Sequence, residues 1–302
     1  MSVIENAINK LRGSRAGGAA TARQKEYGAT ATSGGAARRR EVAPEANAAA
    51  PARTLVINQD ALRVAGLLPP SHQERELAQQ FRQIKRPLIN NALGRGVVPV
   101  PQGNLVMVAS AVPAEGKTFT ALNLALSMRL EEDVSVLLVD GDVVNPRISR
   151  ILGVENEPGL LDVVRDPGVS PGSAILATDV PGLSFLPAGG PDANATELLA
   201  STRMRDVVAL LGGHDATRLV LFDSAPLLLT TESQALAQVV GQILLVVRAD
   251  QTAQHVVLEA LESLGEGKPI SLVLNQSMTQ PHAGYYYQYG SGAGPREKAS
   301  SA

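Results

Sequence analysis

The 302-residue sequence predicts an α/β fold, in which a mainly parallel sheet carries helices on both of its faces. From residue 104 onward, short runs that are apolar throughout alternate with stretches of helical periodicity. Strands separated by helices are typical of parallel sheets, and fully apolar strands are those covered on both faces. With 44% hydrophobic residues, the chain can form one substantial domain with tails or two small domains.

The elements of this fold can be assigned in chain order. The predicted strands are NLVMVAS, VSVLLVD, LSFLPAG, RLVLFDSAP, GQILLVVRAD and ISLVLNQ. Helices are predicted at about 117–130, after Pro146, at about 195–211, from about 232, and at 252–264. The α/β domain is expected over residues 96–280. It is preceded by a helical segment, residues 56–95, whose polar helix should end near Pro87 because proline disrupts helix interiors.

The N-terminal arm, residues 1–55, differs from this centre in composition. It is rich in Ala, Gly and Arg and has almost no large apolar side chains after Leu11, so we predict that it is mostly disordered. Its first eleven residues place an apolar stripe on one helical face, namely Val3, Ile4, Ala7, Ile8 and Leu11. Such a helix would dock on its own domain, on a membrane or on a partner.

Composition excludes several classes of site. Without cysteine, the chain has no disulfide, thiol nucleophile or cysteine-bound metal. Its apolar runs are shorter than the roughly 20 residues that span a bilayer, and no signal peptide precedes them. The sequence therefore predicts a soluble protein that reaches a membrane only through a partner or its tail. The basic residues 38–40 alone do not favour nucleic-acid binding, because isolated basic tails are usually solvated.

The first strand runs into SAVPAEGKTFT, which matches the phosphate-binding loop GxxxxGK[ST] except that Ala111 replaces the first glycine. Gly116 would let the backbone approach phosphates closely. Lys117 would reach the β and γ phosphates of a nucleotide, and the Thr118 hydroxyl would ligate Mg²⁺. An ordinary strand-to-helix turn could carry the same short match, but the position between an apolar strand and a helix favours a phosphate loop.

Two further strands end in carboxylates. VLLVDGDVVNP places Asp140 and Asp142 at alternate positions, and RLVLFDSAP ends with Asp223. Neighbouring carboxylates repel each other unless a cation lies near them. Each pattern alone could be a solvated loop acid, but together with the phosphate loop they predict a nucleotide and Mg²⁺ site of the P-loop NTPase type. It should lie at the carboxyl ends of a parallel sheet.

The order of these motifs, closed by a tyrosine cluster, resembles the bacterial tyrosine kinases. The similarity is greatest to the stand-alone cytoplasmic autokinases of exopolysaccharide loci, including exosortase-associated ones. It covers nearly the whole chain and includes EGKTFTALNLALSM, PAGG, ATELLAS and VLFDSAP. The resemblance implies an ATP- and Mg²⁺-dependent protein-tyrosine kinase, with its kinase domain over residues 96–280. It would phosphorylate its own tail, between subunits, to regulate exopolysaccharide polymerisation or export.

The resemblance also assigns roles to residues of the three motifs. Lys117, Asp140 and Asp142 would be catalytic, and Asp140 would take the proton of the incoming phenol. Thr118, Asp142 and Asp223 would hold Mg²⁺. A base is chemically useful because free tyrosine has a pKa of about 10.

ATP would be bound by the phosphate loop and by the end of the last strand. Asn275 falls where relatives contact the adenine. The loop residues expected to contact ATP are Ala114, Glu115, Gly116, Lys117, Thr118 and Phe119.

The expected phosphoacceptors are the tyrosines of the tail, residues 281–302, namely Tyr285, Tyr286, Tyr287 and Tyr289. On a flexible segment bounded by glycine, they could reach the site of a neighbouring subunit, and their clustering raises the local concentration of acceptors. The alternative interpretation is a sticky low-complexity tail.

The resemblance implies partners as well. These are further copies of the chain, a transmembrane polysaccharide co-polymerase or chain-length protein as activator, and a cognate tyrosine phosphatase. The protein would then be cytoplasmic and held peripherally at the inner membrane through a partner.

The sequence departs from the family pattern at three places. Ala114 follows Pro113 where the family often has glycine, and Val144 and Asn145 stand where an arginine usually precedes the proline. The assembly helix commonly carries Glu, Arg and Arg, but the aligned residues here are Gln79, Arg82 and Lys85. These departures leave the catalytic rate and the strength of assembly open.

Two other functions are compatible with the motifs. One is an ATPase switch resembling the MinD-like and ParA-like proteins, whose phosphate loop has an additional lysine where this chain has Val112. The other is a nucleotide-binding scaffold in polysaccharide export with negligible turnover.

Overall fold

The computed structural model describes residues 54–96, 98–213 and 217–277. The predicted N-terminal helix, the arm up to residue 53 and the tyrosine tail lie outside these residues. The strands are β1 (Leu105–Ser110), β2 (Ser135–Asp140), β3 (Leu176–Ala177), β4 (Leu183–Leu186), β5 (Arg218–Asp223), β6 (Gln242–Arg248) and β7 (Ile270–Asn275).

Ten helices accompany these strands within the described ranges. They are α1 (Gln59–Val64), α2 (Glu74–Ala92), α3 (Lys117–Met128), α4 (Arg147–Ile151), α5 (Leu160–Arg165), α6 (Pro171–Ala174), α7 (Ala195–Ala200), α8 (Thr202–Gly212), α9 (Thr231–Val239) and α10 (Gln254–Leu264). None of those helices is long and apolar enough to cross a membrane.

The strands form one sheet in the order β3-β4-β2-β5-β1-β6-β7. All neighbours are parallel except β3 and β4. Successive residues of a strand contribute to different cores: Met107 belongs to the apolar cluster on one face, whereas Val106 and Val108 belong to the cluster on the other. The predicted α/β fold, with helices on both faces of a mainly parallel sheet, is confirmed.

The polar helix α2 does not end near Pro87, so that prediction is wrong. Proline removes the hydrogen bond to the carbonyl four residues earlier, and its ring crowds that carbonyl. Here that residue, Gln83, is exposed to water. Beyond the proline, Leu88 is fully buried. Its carbonyl also accepts a hydrogen bond from Nε2 of Gln242, at 3.0 Å. Tertiary contacts thus hold the last turn in place despite the proline.

The single helix predicted at about 195–211 is two helices. Ser201 separates α7 from α8 in an extended conformation, and its Oγ accepts a hydrogen bond from the Met204 N–H at 3.1 Å. Serine is a strong helix N-cap, so it favours starting a new helix here. The short helices α5 and α6 and the antiparallel β3 were not among the predicted elements.

The sheet places the predicted acids beside the phosphate loop. β2 and β5 pair so that Asp140 lies directly opposite Asp223. β1 pairs with β5 on one side and with β6 on the other. Because these strands are parallel, the segments after β1, β2 and β5 all emerge at one edge of the sheet.

Gly241 offers a test of how tightly the start of β6 is packed. A Cβ at this position would overlap the backbone carbonyl of Gln102. We expect Gly241→Ala to lower the free energy of unfolding by about 1–3 kcal/mol, measured by urea denaturation. Gly172→Ala is the matched control, because a Cβ there meets no atom within 4 Å. It should leave stability unchanged or raise it by less than about 1 kcal/mol. Equal effects of the two substitutions would contradict the packing argument.

Candidate active site

The phosphate loop connects β1 to α3 and is closed by a glycine. Gly116 has φ 94°, in the left-handed region, and precedes the first residue of the helix, Lys117. A Cβ on Gly116 would also overlap the side-chain amide of Asn275, at the end of β7. Both the backbone conformation and the close approach therefore require glycine at this position.

The side chain of Glu115 holds the loop from within. Its carboxylate is buried and accepts hydrogen bonds from the Val112 N–H (2.8 Å), the Thr252 hydroxyl (2.6 Å) and the Arg248 N–H (3.2 Å). The carbonyl of Glu115 accepts a bond from Nδ2 of Asn275 at 2.8 Å. The loop is thus tied to the ends of β6 and β7, and only the Glu115 N–H remains to contact a nucleotide.

Two other residues that are expected to contact the nucleotide also make contacts within the chain. The Phe119 side chain is partly buried against the apolar core, with its ring centroid 6.3 Å from that of Phe81. Asn275 lies against the phosphate loop, where its side-chain amide nitrogen is already committed to Glu115.

Lys117 forms an ion pair with Asp142. Their Nζ and Oδ2 atoms are 3.1 Å apart, and both side chains are largely buried. The other carboxylate oxygen of Asp142 accepts a hydrogen bond from the Asn145 N–H at 3.0 Å. The phosphate-loop lysine and the second acid of the β2 motif therefore neutralise each other here.

Asp140 is completely buried and is held from one side only. Its Oδ2 accepts hydrogen bonds from the N–H (2.8 Å) and the hydroxyl (2.7 Å) of Ser149, in α4. The Ser149 hydroxyl in turn accepts one from the Ala188 N–H at 3.2 Å. Oδ1 of Asp140 has no hydrogen-bond partner. Burial raises the pKa of Asp140 to about 6, although the two bonds from Ser149 act against this rise.

Asp223 is also completely buried, and neither of its carboxylate oxygens has a hydrogen-bond partner. Burial raises its pKa to about 7. Nearby Lys117 opposes the rise and Asp140 adds to it, while the Thr118 hydroxyl, which lies near Asp223 without forming a well-aligned hydrogen bond, opposes it more weakly.

The unpartnered oxygens of Asp140 and Asp223 fit a cation, since buried polar atoms normally have a partner. In the described ranges, no group of three His, Cys, Asp or Glu side chains is arranged to hold a metal unaided. Mg²⁺ does not need such a cage, because it commonly binds one or two carboxylates together with water and substrate phosphates. The predicted donors Thr118, Asp142 and Asp223 are all buried beside the loop and suit that mode.

The structure thus brings the phosphate loop and the three acids to one edge of the sheet. The acceptor tyrosines lie outside the described residues. Sequence reasoning missed Ser149, Thr252 and the bracing role of the Glu115 carboxylate. The contact between Glu115 and Thr252 joins residues 137 positions apart, and no local pattern signals it.

Comparisons with known proteins agree with this geometry. The chain is 29% identical to the tyrosine-protein kinase YwqD of Bacillus subtilis over 213 residues, which are 70% of this chain and 85% of that protein. The VpsO kinase domain aligns with 68% of this chain and 98% of its own, at 28% identity and a TM-score of 0.55. The kinase domain of the Escherichia coli tyrosine kinase ETK aligns with 60% of this chain and 72% of its own, at 26% identity and a TM-score of 0.50. No family model matches the sequence.

The buried acids predict how the stability of the metal-free protein depends on pH. Folded Asp140 and Asp223 keep their protons up to about pH 6 and about pH 7, whereas in the unfolded chain they lose them near pH 4. Between these values the folded state binds more protons, so these groups lower stability as pH rises. In EDTA, the wild type should lose on the order of 1–3 kcal/mol relative to Asp223→Asn between pH 5 and pH 8.

Urea denaturation at the two pH values measures this difference. Asp133→Asn is the matched control, because Asp133 is exposed, and it should follow the wild type at both pH values. A wild type that gains stability relative to Asp223→Asn as pH rises would show that the buried acid is not the destabilising group.

The Glu115 brace predicts an effect on nucleotide affinity. Thr252→Val removes the hydroxyl that donates to the Glu115 carboxylate and should raise the Kd for ATP several-fold, because the loop loses a support. Thr252→Ser keeps the donor and should bind ATP like the wild type. Calorimetric titration at equal Mg²⁺ measures the Kd for ATP of the wild type and of both variants. Equal Kd values for the Val and Ser variants would show that the Thr252 hydroxyl does not support the loop.

Proposed function

We propose that the chain, like the bacterial tyrosine kinases that it resembles, uses ATP and Mg²⁺ to phosphorylate the tyrosine cluster of its own C-terminal tail. One observation carries this proposal: a phosphate-loop lysine and three buried carboxylates meet at one edge of the sheet, in a chain that carries four tyrosines within residues 285–289. The acceptors are Tyr285, Tyr286, Tyr287 and Tyr289.

Nucleotide binding changes the partner of Lys117. Its ammonium now lies 3.1 Å from the Asp142 carboxylate. Triphosphate oxygens carry more charge and would draw Lys117 toward the β and γ phosphates, which frees Asp142. Asp142, Asp223 and the Thr118 hydroxyl are the residues that would then hold Mg²⁺. When bound, this ion neutralises charge on the phosphate oxygens.

Phosphoryl transfer then needs a positioned phenol and an acceptor for its proton. The tyrosine oxygen forms a bond to the γ phosphorus, the bond from that phosphorus to the oxygen of ADP breaks, and the phenolic proton passes to Asp140. Burial raises the pKa of Asp140 to about 6, which makes it a stronger base than an ordinary aspartate. Because Asp140 has no exposed surface, the loops around it must separate before a phenol can reach it.

The wider role follows from the resemblance. We propose that the chain acts in exopolysaccharide polymerisation or export, assembles with further copies of itself, and is activated by a transmembrane co-polymerase that brings it to the inner membrane. Each phosphotyrosine adds about −1.5 to −2 charges. Several in one short segment would loosen such an assembly by repulsion, and a cognate phosphatase would restore it.

Intact-mass and peptide mass spectrometry after incubation with Mg²⁺ and ATP tests the kinase reaction. We expect phosphate on the tail of the wild type. It should be absent from Lys117→Met, which loses the phosphate-binding ammonium, and from a variant with all four tail tyrosines changed to phenylalanine.

The outcomes separate the candidate functions. Release of inorganic phosphate with an unmodified tail, even with a co-polymerase partner present, would indicate an ATPase switch. ATP binding without either product would indicate a scaffold. Tail phosphate that persists in Lys117→Met would mean that the reaction takes place elsewhere.

A further inference from the structure

A second concave surface lies at the far end of α3 from the phosphate loop. This α2 groove, about 290 Å³ in volume, runs between α2, the C-terminal end of α3 and residues 57–69. Its apolar lining includes Leu68, Leu77, Phe81, Leu126 and Leu130. The α2 residues in it recur at helical spacing, so one face of that helix forms a continuous wall.

Two of the four basic side chains in the α2 groove are already neutralised. Arg63 lies 2.9 Å from the Glu74 carboxylate. Lys85 is buried and lies 2.6 Å from the Glu131 carboxylate, and it also donates to the Ser127 carbonyl at 2.8 Å. Lys85, the third of the residues aligned with the family's assembly motif, therefore forms its ion pair within its own subunit.

The other two, Arg82 and Arg129, lack an acidic partner among the residues that the structure describes. Arg82 is exposed at the rim. The Nε of Arg129 is buried with no hydrogen-bond acceptor. An unsatisfied buried donor is costly, and guanidinium groups pair best with carboxylate or phosphate oxygens. The α2 groove is therefore suited to an anion.

The same groove is suited to an aromatic ring. Phe81 lies in its lining next to Arg82 and is held against Phe119 at a ring-centroid distance of 6.3 Å. Phe81 is itself buried, but Leu68, Leu77 and Leu126 are partly exposed and Leu130 is exposed, so the leucines offer apolar surface to a ring. Any contact with the edge of Phe81 would add to the attraction of plain burial. Apolar surface next to two unpaired guanidiniums matches the chemistry of phosphotyrosine, which joins a ring to a dianion.

The tail is long enough to reach this groove from its own subunit. Asn275 contacts the phosphate loop just before α3, whose 12 residues span about 18 Å to the end of the helix beside the groove. The eight residues that follow Ser277, up to and including Tyr285, extend up to about 27 Å.

We propose that the phosphorylated tyrosine cluster docks in the α2 groove of its own subunit, with phosphate oxygens on Arg82 and Arg129. This inference rests on the proposed function, because the kinase reaction is what places phosphate on the tail. Docking withdraws the product from the active site and covers Arg82, on the helix predicted to carry assembly.

Synthetic peptides test the docking without relying on kinase activity. The probes are fluorescein-labelled peptides of residues 282–292 with phosphotyrosine, tyrosine or glutamate at the four tyrosine positions. They are titrated by fluorescence anisotropy into the full-length chain whose four tail tyrosines are changed to phenylalanine. We expect the phosphotyrosine peptide to bind at least tenfold more tightly than the other two.

Arginine variants of the same full-length chain locate the site. Arg82→Gln combined with Arg129→Gln should weaken phosphopeptide binding at least tenfold. Arg205→Gln, at an exposed position of α8, is the matched control and should bind like the parent. Thermal unfolding of each variant shows that it is folded.

Several results would overturn the proposal. These are equal binding of the phosphotyrosine and glutamate peptides, no binding of the phosphotyrosine peptide, or an unchanged Kd in the double arginine variant. Any of them would leave the autophosphorylation assay unaffected. Conversely, a bare tail in that assay alongside tight phosphopeptide binding would reject the kinase proposal while the groove remains a phosphotyrosine site.

Discussion

Charge balance at the carboxyl edge of the sheet is the constraint on which the site depends. Three buried or nearly buried carboxylates share this edge with one ammonium group, that of Lys117. If all were ionised, two negative charges would remain in a region that excludes water. The protein moderates this by raising the pKa of Asp140 and of Asp223, so that each ionises less readily than an ordinary aspartate, and by pairing Lys117 with Asp142. A divalent cation would neutralise the remaining negative charge. Binding such a cation would therefore stabilise the folded protein.

Hydrogen bonds from other parts of the chain hold the charged groups of the site in position. Each reactive side chain is held by a group from another part of the chain: Asp140 by Ser149, and the phosphate loop by Thr252 and Asn275. These supports are short hydrogen bonds between buried or partly buried groups, and they resist rotation of the groups they join. The buried apolar strands provide a rigid base, and the hydrogen bonds at their carboxyl ends orient the reactive side chains. Ligand sites at the ends of parallel strands are typically built in this way.

The sequence predicted the sheet and the acids at its edge because both are local signals. Apolar runs mark buried strands, and an acid directly after such a run must lie at the strand end. The parts that it did not predict are non-local. α2 continues beyond Pro87 because Leu88 and Gln242 hold its last turn, although they are distant in the chain. The commitment of Lys85 to Glu131 likewise depends on how α2 and α3 pack, which residue spacing does not encode.

β7 connects the phosphate loop with the start of the tyrosine tail, although the two segments are far apart in the sequence. It lies at the edge of the sheet, its last residue donates to the phosphate loop, and the chain leaves it only ten residues before the first tail tyrosine. Through Asn275, the strand that precedes the tail is therefore hydrogen-bonded to the backbone that would hold ATP. Thermodynamic linkage makes any coupling between two sites reciprocal. If a partner that restrained β7 changed the affinity for nucleotide, nucleotide binding would change the affinity for that partner by the same factor.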